Sequence, residues 1–347
     1  MTEPESQKPK RRLRYSGKNP RHFAEKYKEL QPERFADDVA KVVAGGKTPA
    51  GMHRPIMVSE ILHVLAPQPG EVAVDCTLGY GGHARELLRL VQPGGRLLGI
   101  DADPIELPKT EARLRALAFP EESLVVYRGN YAAIRKFLDV EAPDGVDLIL
   151  ADLGLSSMQI DDPARGFTFK EDGPLDMRMN PSRGQTATEL LSQLDELTLA
   201  KILEENADEP HAKGLANAIL SAHARSPLHS TESLARVVRD DYVRSSKMEC
   251  TDALRRVFQA LRIAVNDEFG AIMALLRVLP FCLKPGGRVA ILTFHSGEDR
   301  RVKHAFKVGL QDGTYARIAD EVVLATPEER HANPRSSSAK LRFAIKQ

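Results

Sequence analysis

The sequence predicts an α/β protein built on a mostly parallel sheet and interrupted by an all-helical insertion. Three observations predict it. Short apolar segments alternate with helical ones from about residue 53, the rhythm of βαβ units whose sheet is covered on both faces. A glycine turn, Gly79-Tyr80-Gly81-Gly82, joins the first of these segments to a helical pattern, as in nucleotide-type sites. The alternation then stops over residues 165–262, where helical patterns follow one another without a convincing strand.

Lys8, Lys10, Arg11, Arg12 and Arg14 form a basic cluster at the start, ahead of weakly patterned, charged text. A flexible arm is expected over 1–50, either solvated or touching nucleic-acid phosphates. Strands are expected over 72–75, 96–101, 124–128, 146–152 and 288–294, with helices between the first four. The helix after the glycine turn carries Leu87, Leu88 and Leu90 at helical spacing. Inside the insertion, helices are expected over 188–205, 212–223 and 232–243, the last capped by Ser230 or Thr231. The chain returns through 252–265, where Leu254, Val257, Phe258, Leu261 and Val265 share one helical face. Asn266 is the expected cap of a further helix, and Pro285-Gly286-Gly287 turns into the last clear strand. The division is therefore an arm (1–50), a main domain (51–164 plus 263–347) and a helical substrate domain (165–262).

Composition narrows the function classes. The chain has 347 residues, with 49 basic and 48 acidic ones, so it is no wholesale polycation and any nucleic-acid contact must come from local patches. Cys76, Cys250 and Cys282 are odd in number and far apart, which gives no disulfide framework and suits a reducing compartment. No apolar run approaches a membrane span and the start is basic rather than signal-like; a soluble, cytoplasmic protein is expected. No group of histidines and acids shows metal-ligand spacing, so no catalytic metal is expected.

The glycine turn admits two readings. Gly79 to Ala84 fits Gly-x-Gly-x-x-Ala, and Asp101 lies twenty residues past Gly81, where a dinucleotide site places its ribose-binding acid. An NAD-linked oxidoreductase is therefore a rival. Against it, Asp75 sits four residues before the first glycine, at close range to where a pyrophosphate would bind. Asp75, Asp101 and Asp152 all end strands, and would ring the crevice of an open sheet with negative charge. No substrate-side hydride chemistry is evident. A cationic donor, S-adenosylmethionine, fits better. Gly79, Gly81 and Gly82 would then admit its methionine part against bare backbone, Asp101 would hold the ribose hydroxyls, and Tyr131 could stack on adenine.

After the fourth strand, polar text runs from Asp152 through Arg165-Gly166-Phe167 to Met179, a loop long enough to be functional. Asp152 could orient an acceptor amine or merely brace the loop. Ser296 and Asp299 read as a Ser-x-x-Asp helix cap, with His295 just ahead facing the crevice. Residues 333–342 are basic and turn-rich, suited either to clamping phosphates or to solvating a sheet edge.

These motifs are similar to those of the MraW (RsmH) family of bacterial small-subunit (16S) rRNA cytosine-N4 methyltransferases. The matching text is His53-Arg54-Pro55-Ile56-Met57-Val58, residues 76–83, 152–159, Arg165-Gly166-Phe167, 172–179, 258–263, 294–301 and 333–342. The resemblance implies a Rossmann-like class I S-adenosylmethionine-dependent methyltransferase with an inserted helical domain. It places cofactor contacts at Gly81, Gly82, His83, Asp101, Tyr131, Asp152 and Gln159, with Asp152 also the candidate catalytic group. Arg165, Asp176, Arg178, His295, Arg335 and Arg342 are the substrate-binding candidates. The implied partner is small-subunit rRNA, methylated at a decoding-centre cytosine within an assembled or nearly assembled subunit; a homodimer is left open. From another class, a non-catalytic cofactor-binding assembly factor is the alternative. A DNA amino-methyltransferase would carry Asp/Asn/Ser-Pro-Pro-Tyr/Phe where this chain has Asp152-Leu153-Gly154-Leu155. Gly297 stands in place of the family's leucine and Ser337 in place of an arginine. Residues 206–212 follow the pattern loosely, and the segment before His53 is an addition.

Overall fold

Strands β1 (Val72–Asp75), β2 (Arg96–Asp101), β3 (Leu124–Arg128), β4 (Val146–Asp152) and β5 (Leu283–Thr293) alternate their side chains between two apolar layers. Val74, Leu98, Ile149 and Ile291 enter one cluster, whereas Ala73, Leu97, Leu148 and Leu292 enter the other, the period of two that a sheet covered on both faces requires. The computed structural model describes residues 55–347; the basic arm, His53 and Arg54 lie outside the described residues. β1 to β5 pair in parallel. Beyond them β8 (Lys340–Lys346) runs antiparallel to β5, and β6 (Tyr315–Ile318) and β7 (Val323–Leu324) run antiparallel to β8. The order is β3-β2-β1-β4-β5-β8-β6, with β7 also on β8. Chain direction through the sheet reverses between β1 and β4, so the ligand crevice of this Rossmann-like fold lies above their carboxyl ends.

Helices α1 (Val58–Leu65), α2 (Gly82–Val91) and α3 (Leu107–Arg115) cover one face with Ile61, Leu65, Leu87, Leu88 and Leu114. α4 (Ile134–Glu141) covers the other, and α5 (Ser157–Asp161) follows β4. Five helices come next: α6 (Ala187–Leu191), α7 (Glu196–Ala207), α8 (Ala212–Arg225), α9 (Thr231–Asp241) and α10 (Lys247–Asn266). They pack on an apolar cluster of their own, which includes Leu199, Leu203, Ile219, Leu234, Val257 and Leu261, together with Phe167, Leu175 and Met177 from the preceding loop. α11 (Glu268–Cys282) and α12 (Ser296–Gln311) return to the second sheet face through Leu275, Leu279, Val302 and Phe306, and α13 (Pro327–Ala332) precedes β8.

The first four strands stand where the sequence places them. The fifth begins earlier, because Leu283 already pairs with Val146 before the glycines bulge out and Arg288 re-enters the ladder opposite Leu148. The single helix expected over 188–205 is two: Asp195 caps the second, its carboxylate accepting from Thr198 N at 2.7 Å. Ser230 caps α9 as expected. Asn266 is no cap. Its Oδ1 accepts from Met179 N at 2.7 Å and its Nδ2 donates to Met177 O at 2.8 Å, clipping the long polar loop to the end of α10. The three cysteines are free thiols. No helix among the described residues is long and apolar enough to cross a membrane.

Candidate active site

Leaving β1, the chain turns tightly at Gly81, whose φ of 82° lies in the left-handed region, and enters α2. A Cβ on Gly81 would stand 2.9 Å from Thr110 Cγ2, and one on Gly82 would stand 2.9 Å from Pro55 Cβ. The protein's own packing therefore already requires glycine at both positions. At Gly79 a Cβ would meet only Thr77 O, at 3.6 Å. Gly79 N donates to Asp101 Oδ2 at 2.6 Å, and Thr110 Oγ1 donates to Gly79 O at 2.5 Å, which fixes the turn against β2 and α3.

The three strand-ending acids do converge. Asp75 is 1% exposed, and burial pushes its carboxyl up to about 6, against the pull of His83 and of Thr77 N. Asp101 accepts from Gly79 N and, at 2.8 Å, from Asp103 N, yet burial still raises it. Asp152, half-buried, is pushed up to about 7 by burial and by Glu298. Its backbone N donates to Thr77 Oγ1 at 2.7 Å, so Thr77 ties the ends of β1 and β4 together across the switch point. His83 lies among these acids: Nε2 bonds the Ile56 carbonyl at 2.9 Å, and Nδ1 stands 3.6 Å from Asp152 Oδ2.

Asp103, which the sequence reading missed, organises the rim. It is 2% exposed and accepts from Gln159 Nε2 at 2.8 Å, Arg165 Nη1 at 2.9 Å and Ile105 N at 2.8 Å. Burial opposes its charge, but the Arg165 guanidinium and the other donors hold the carboxyl below the ordinary range. Gln159 is thereby fixed from two sides, since its Oε1 also accepts from Ser156 N at 3.0 Å in a capping box.

The arginines expected at the substrate have counter-ions in the fold. Arg165 spends its fork on Asp103 and on the Met179 carbonyl at 2.7 Å. Arg178 grips Asp176 through two bonds of 2.8 and 2.7 Å. Arg335 bonds both oxygens of Asp161, at 2.8 and 2.9 Å, and buried Arg342 bonds Asp299 at 2.6 Å. In this arrangement each of the four arginines is engaged with a carboxylate of the fold, and Asp176 is the partner of Arg178.

Around His295 the sequence reading needs a further correction. The cap of α12 is not Ser296 with Asp299: Glu298 Oε2 reaches back to accept from Phe294 N at 2.8 Å, Asp299 pairs with Arg342, and Ser296 Oγ donates to Asp208 at 2.8 Å. His295 Nε2 stands 3.3 Å from Glu298 Oε1, and the His295 side chain is 11% exposed. Glu268, His295 and Glu298 bring their ligand atoms within 4.8 Å of one another. Arg262 already takes both Glu268 oxygens at 2.7 and 2.8 Å, which makes the group an ion network. Burial opposes the charge of Glu298, but His295, Phe294 N and Arg262 hold it below the ordinary range. Tyr131, half-buried, packs on the second-face cluster, and burial beside Glu268 and Glu298 raises its hydroxyl.

Gly297 has a packing reason. A Cβ there would lie 2.6 Å from Phe269 Cζ, and the Phe269 ring is in turn held under Arg301, 3.4 Å from its guanidinium carbon. Gly297→Leu is expected to cost about 1–3 kcal/mol by overpacking, and Phe269→Ala in the same chain to restore part of it, measured by thermal melting. Equal stability of Gly297→Leu and the parent would contradict this packing account.

The MraW methylase family model matches residues 50–347. Ribosomal RNA small subunit methyltransferase H 1 of Lachnoclostridium phytofermentans is 46% identical over 99% of this chain and 95% of its own length. Ribosomal RNA small subunit methyltransferase H 2 of Alkaliphilus metalliredigens is also 46% identical, over 98% of each chain. Ribosomal RNA small subunit methyltransferase H of Acidobacterium capsulatum is 39% identical over 85% of this chain and 98% of its own length. The segment ahead of His53 is therefore shared with the first two relatives, which corrects the expectation that it is an addition. A family match over this range, with such identity along nearly the whole length, establishes that the chain belongs to the MraW methylase family.

Proposed function

We propose that the protein transfers the methyl group of S-adenosylmethionine to the exocyclic N4 of a decoding-centre cytosine in small-subunit rRNA, in the cytoplasm. The observation that carries the reading is the convergence of Asp75, Asp101 and Asp152 at the switch point, in a chain of a methylase family. Three carboxylates at the mouth of a glycine turn suit a sulfonium donor and oppose a pyrophosphate. Membership of a methylase family removes the ground for the NAD alternative. The relatives' names supply the rRNA, and the resemblance supplies the cytosine.

Asp101 holds the ribose hydroxyls through the lone pairs that Gly79 N and Asp103 N leave open, and Gln159, fixed by Asp103, lines the rim. The donor, when bound, supplies an electrophilic methyl. The target base must be unstacked for its amine to reach the crevice. Its N4 lone pair is delocalised into the ring, so an acceptor has to hold N4–H and turn the lone pair toward the methyl. Asp152 takes that role: it ends β4, its carboxylate is half-exposed, and its elevated pKa suits proton chemistry near neutrality. The helical segment of residues 165–262 is the substrate-recognition domain in this reading.

Incubating the protein and labelled S-adenosylmethionine with unmodified small subunits and with free rRNA, followed by nucleoside analysis, tests the proposal. N4-methylated cytidine is expected, with the assembled subunit the better acceptor. Its absence from both overturns the reading. Cofactor binding with no methyl mark on either would favour an assembly factor.

A further inference from the structure

The Ile56 carbonyl can only accept a hydrogen bond, so His83 Nε2, 2.9 Å away, carries the ring's hydrogen. Nδ1 therefore presents a lone pair, and it stands 3.6 Å from Asp152 Oδ2. An imidazole lone pair facing a carboxylate sets two acceptors against each other; the arrangement is favourable only when one proton lies between them. The charges around the pair act in the same direction. His83 is faced by Asp75 from β1 and by Glu329 from α13 as well as by Asp152. Asp152 is faced by Glu298 from α12, and Asp75 by Asp101 and Asp152. Acids surround a neutral histidine, and no lysine or arginine is among these groups.

We propose that the His83–Asp152 pair is a one-proton store matched to the charge of the methyl donor. The pair holds a proton while the crevice is empty, releases it when the sulfonium cation is taken in, and regains it from the acceptor amine during transfer. The step balances. The N4 lone pair forms the new C–N bond, and the electrons of the C–S bond stay on sulfur, which becomes neutral. The N4–H bond leaves its electrons on nitrogen and gives its proton to the Asp152 carboxylate, shared with His83 Nδ1. The crevice thus keeps the same total charge when empty, with donor and with product. The low-dielectric setting of buried Asp75 and His83 makes that constancy matter. This rests on the S-adenosylmethionine reading above, not on the identity of the RNA.

The consequence is a binding difference between donor and product. S-adenosylmethionine should displace the proton, while S-adenosylhomocysteine, lacking the sulfonium charge, should bind without displacing it. With the Asp152 carboxyl pushed up to about 7, the donor's affinity should fall by up to about tenfold per pH unit below neutrality, and that of the product should stay nearly flat.

Calorimetric titration of the full chain with each compound, in phosphate and in Tris at matched pH, counts the protons released. More than about half a proton is expected for S-adenosylmethionine at pH 6.5, close to none at pH 9, and close to none for S-adenosylhomocysteine at either. Asp152→Asn should abolish the release. His83→Gln, which keeps a donor for the Ile56 carbonyl, should move the release curve to lower pH. Equal release for both compounds, or an unchanged curve in His83→Gln, overturns the proposal. Failure of both compounds to bind would remove the cofactor assignment and the proposal together. Binding without rRNA methylation would remove only the rRNA reading, with the proton count still deciding this one.

Discussion

Asp152→Asn is expected to lower single-turnover methyl transfer, measured at saturating donor, by about 10²–10³-fold. The amide is isosteric, and the backbone bond from Asp152 N to Thr77 Oγ1 that ties β4 to β1 does not involve the side chain. What changes is charge. A carboxylate can hold N4–H while the amine gains positive character and can then accept its proton; a neutral amide can do the first weakly and the second not at all. The wild-type profile carries a matching signature. The Asp152 carboxyl is pushed up to about 7, so its accepting form is lost as pH falls through that value, and the transfer rate should fall with it. The Asn variant should lack this acidic limb. Turnover equal to the parent's, or an unaltered limb, would remove Asp152 from the reaction and leave it a cofactor contact.

Different parts of the molecule were legible for different physical reasons. β1 to β4 could be read to the residue because each is a short apolar run stopped by a polar residue or an acid, and such runs have few alternative registers. β5 was harder: its glycines read as a turn, whereas Leu283 pairs with Val146 ahead of them. At α12 the strand ends one residue sooner than expected, at Thr293, so Glu298 rather than Asp299 reaches the exposed backbone donors. Asp299 is thereby free to pair with Arg342. Counter-ions were invisible for a simpler reason. Arg165 and Asp103 are 62 residues apart and Arg335 and Asp161 are 174 apart; on the sequence alone neither arginine shows its counter-ion. The acids at strand ends escaped this problem, since parallel strands bring their carboxyl ends to one edge of the sheet whatever the intervening helices do.

Asp103→Ala is expected to be the most destabilising single change at the site, at about 3–5 kcal/mol, because it removes one partner of a buried ion pair and leaves the other. Arg165 is 10% exposed and its second nitrogen is already committed to the Met179 carbonyl, so its guanidinium cannot easily turn to water. Gln159 Nε2 and Ile105 N lose their acceptor at the same time. The bond from Asp103 N to Asp101 Oδ1 does not involve the Asp103 side chain and survives, which should spare the ribose site itself. Two comparisons separate an orphaned charge from a mere cavity. Arg165→Met in the Asp103→Ala background should recover part of the loss, since no buried cation then remains unpaired. Acid titration should also differ. The Asp103 carboxyl lies below the ordinary range in the folded chain, so its contribution is present above its unfolded value, near 4, and is lost as pH falls through the lower folded one. The alanine variant lacks that contribution and should show a shallower loss of stability below pH 4. Urea unfolding at neutral and acid pH measures both, and a cost under about 1 kcal/mol for Asp103→Ala would show that the pair does not brace the rim.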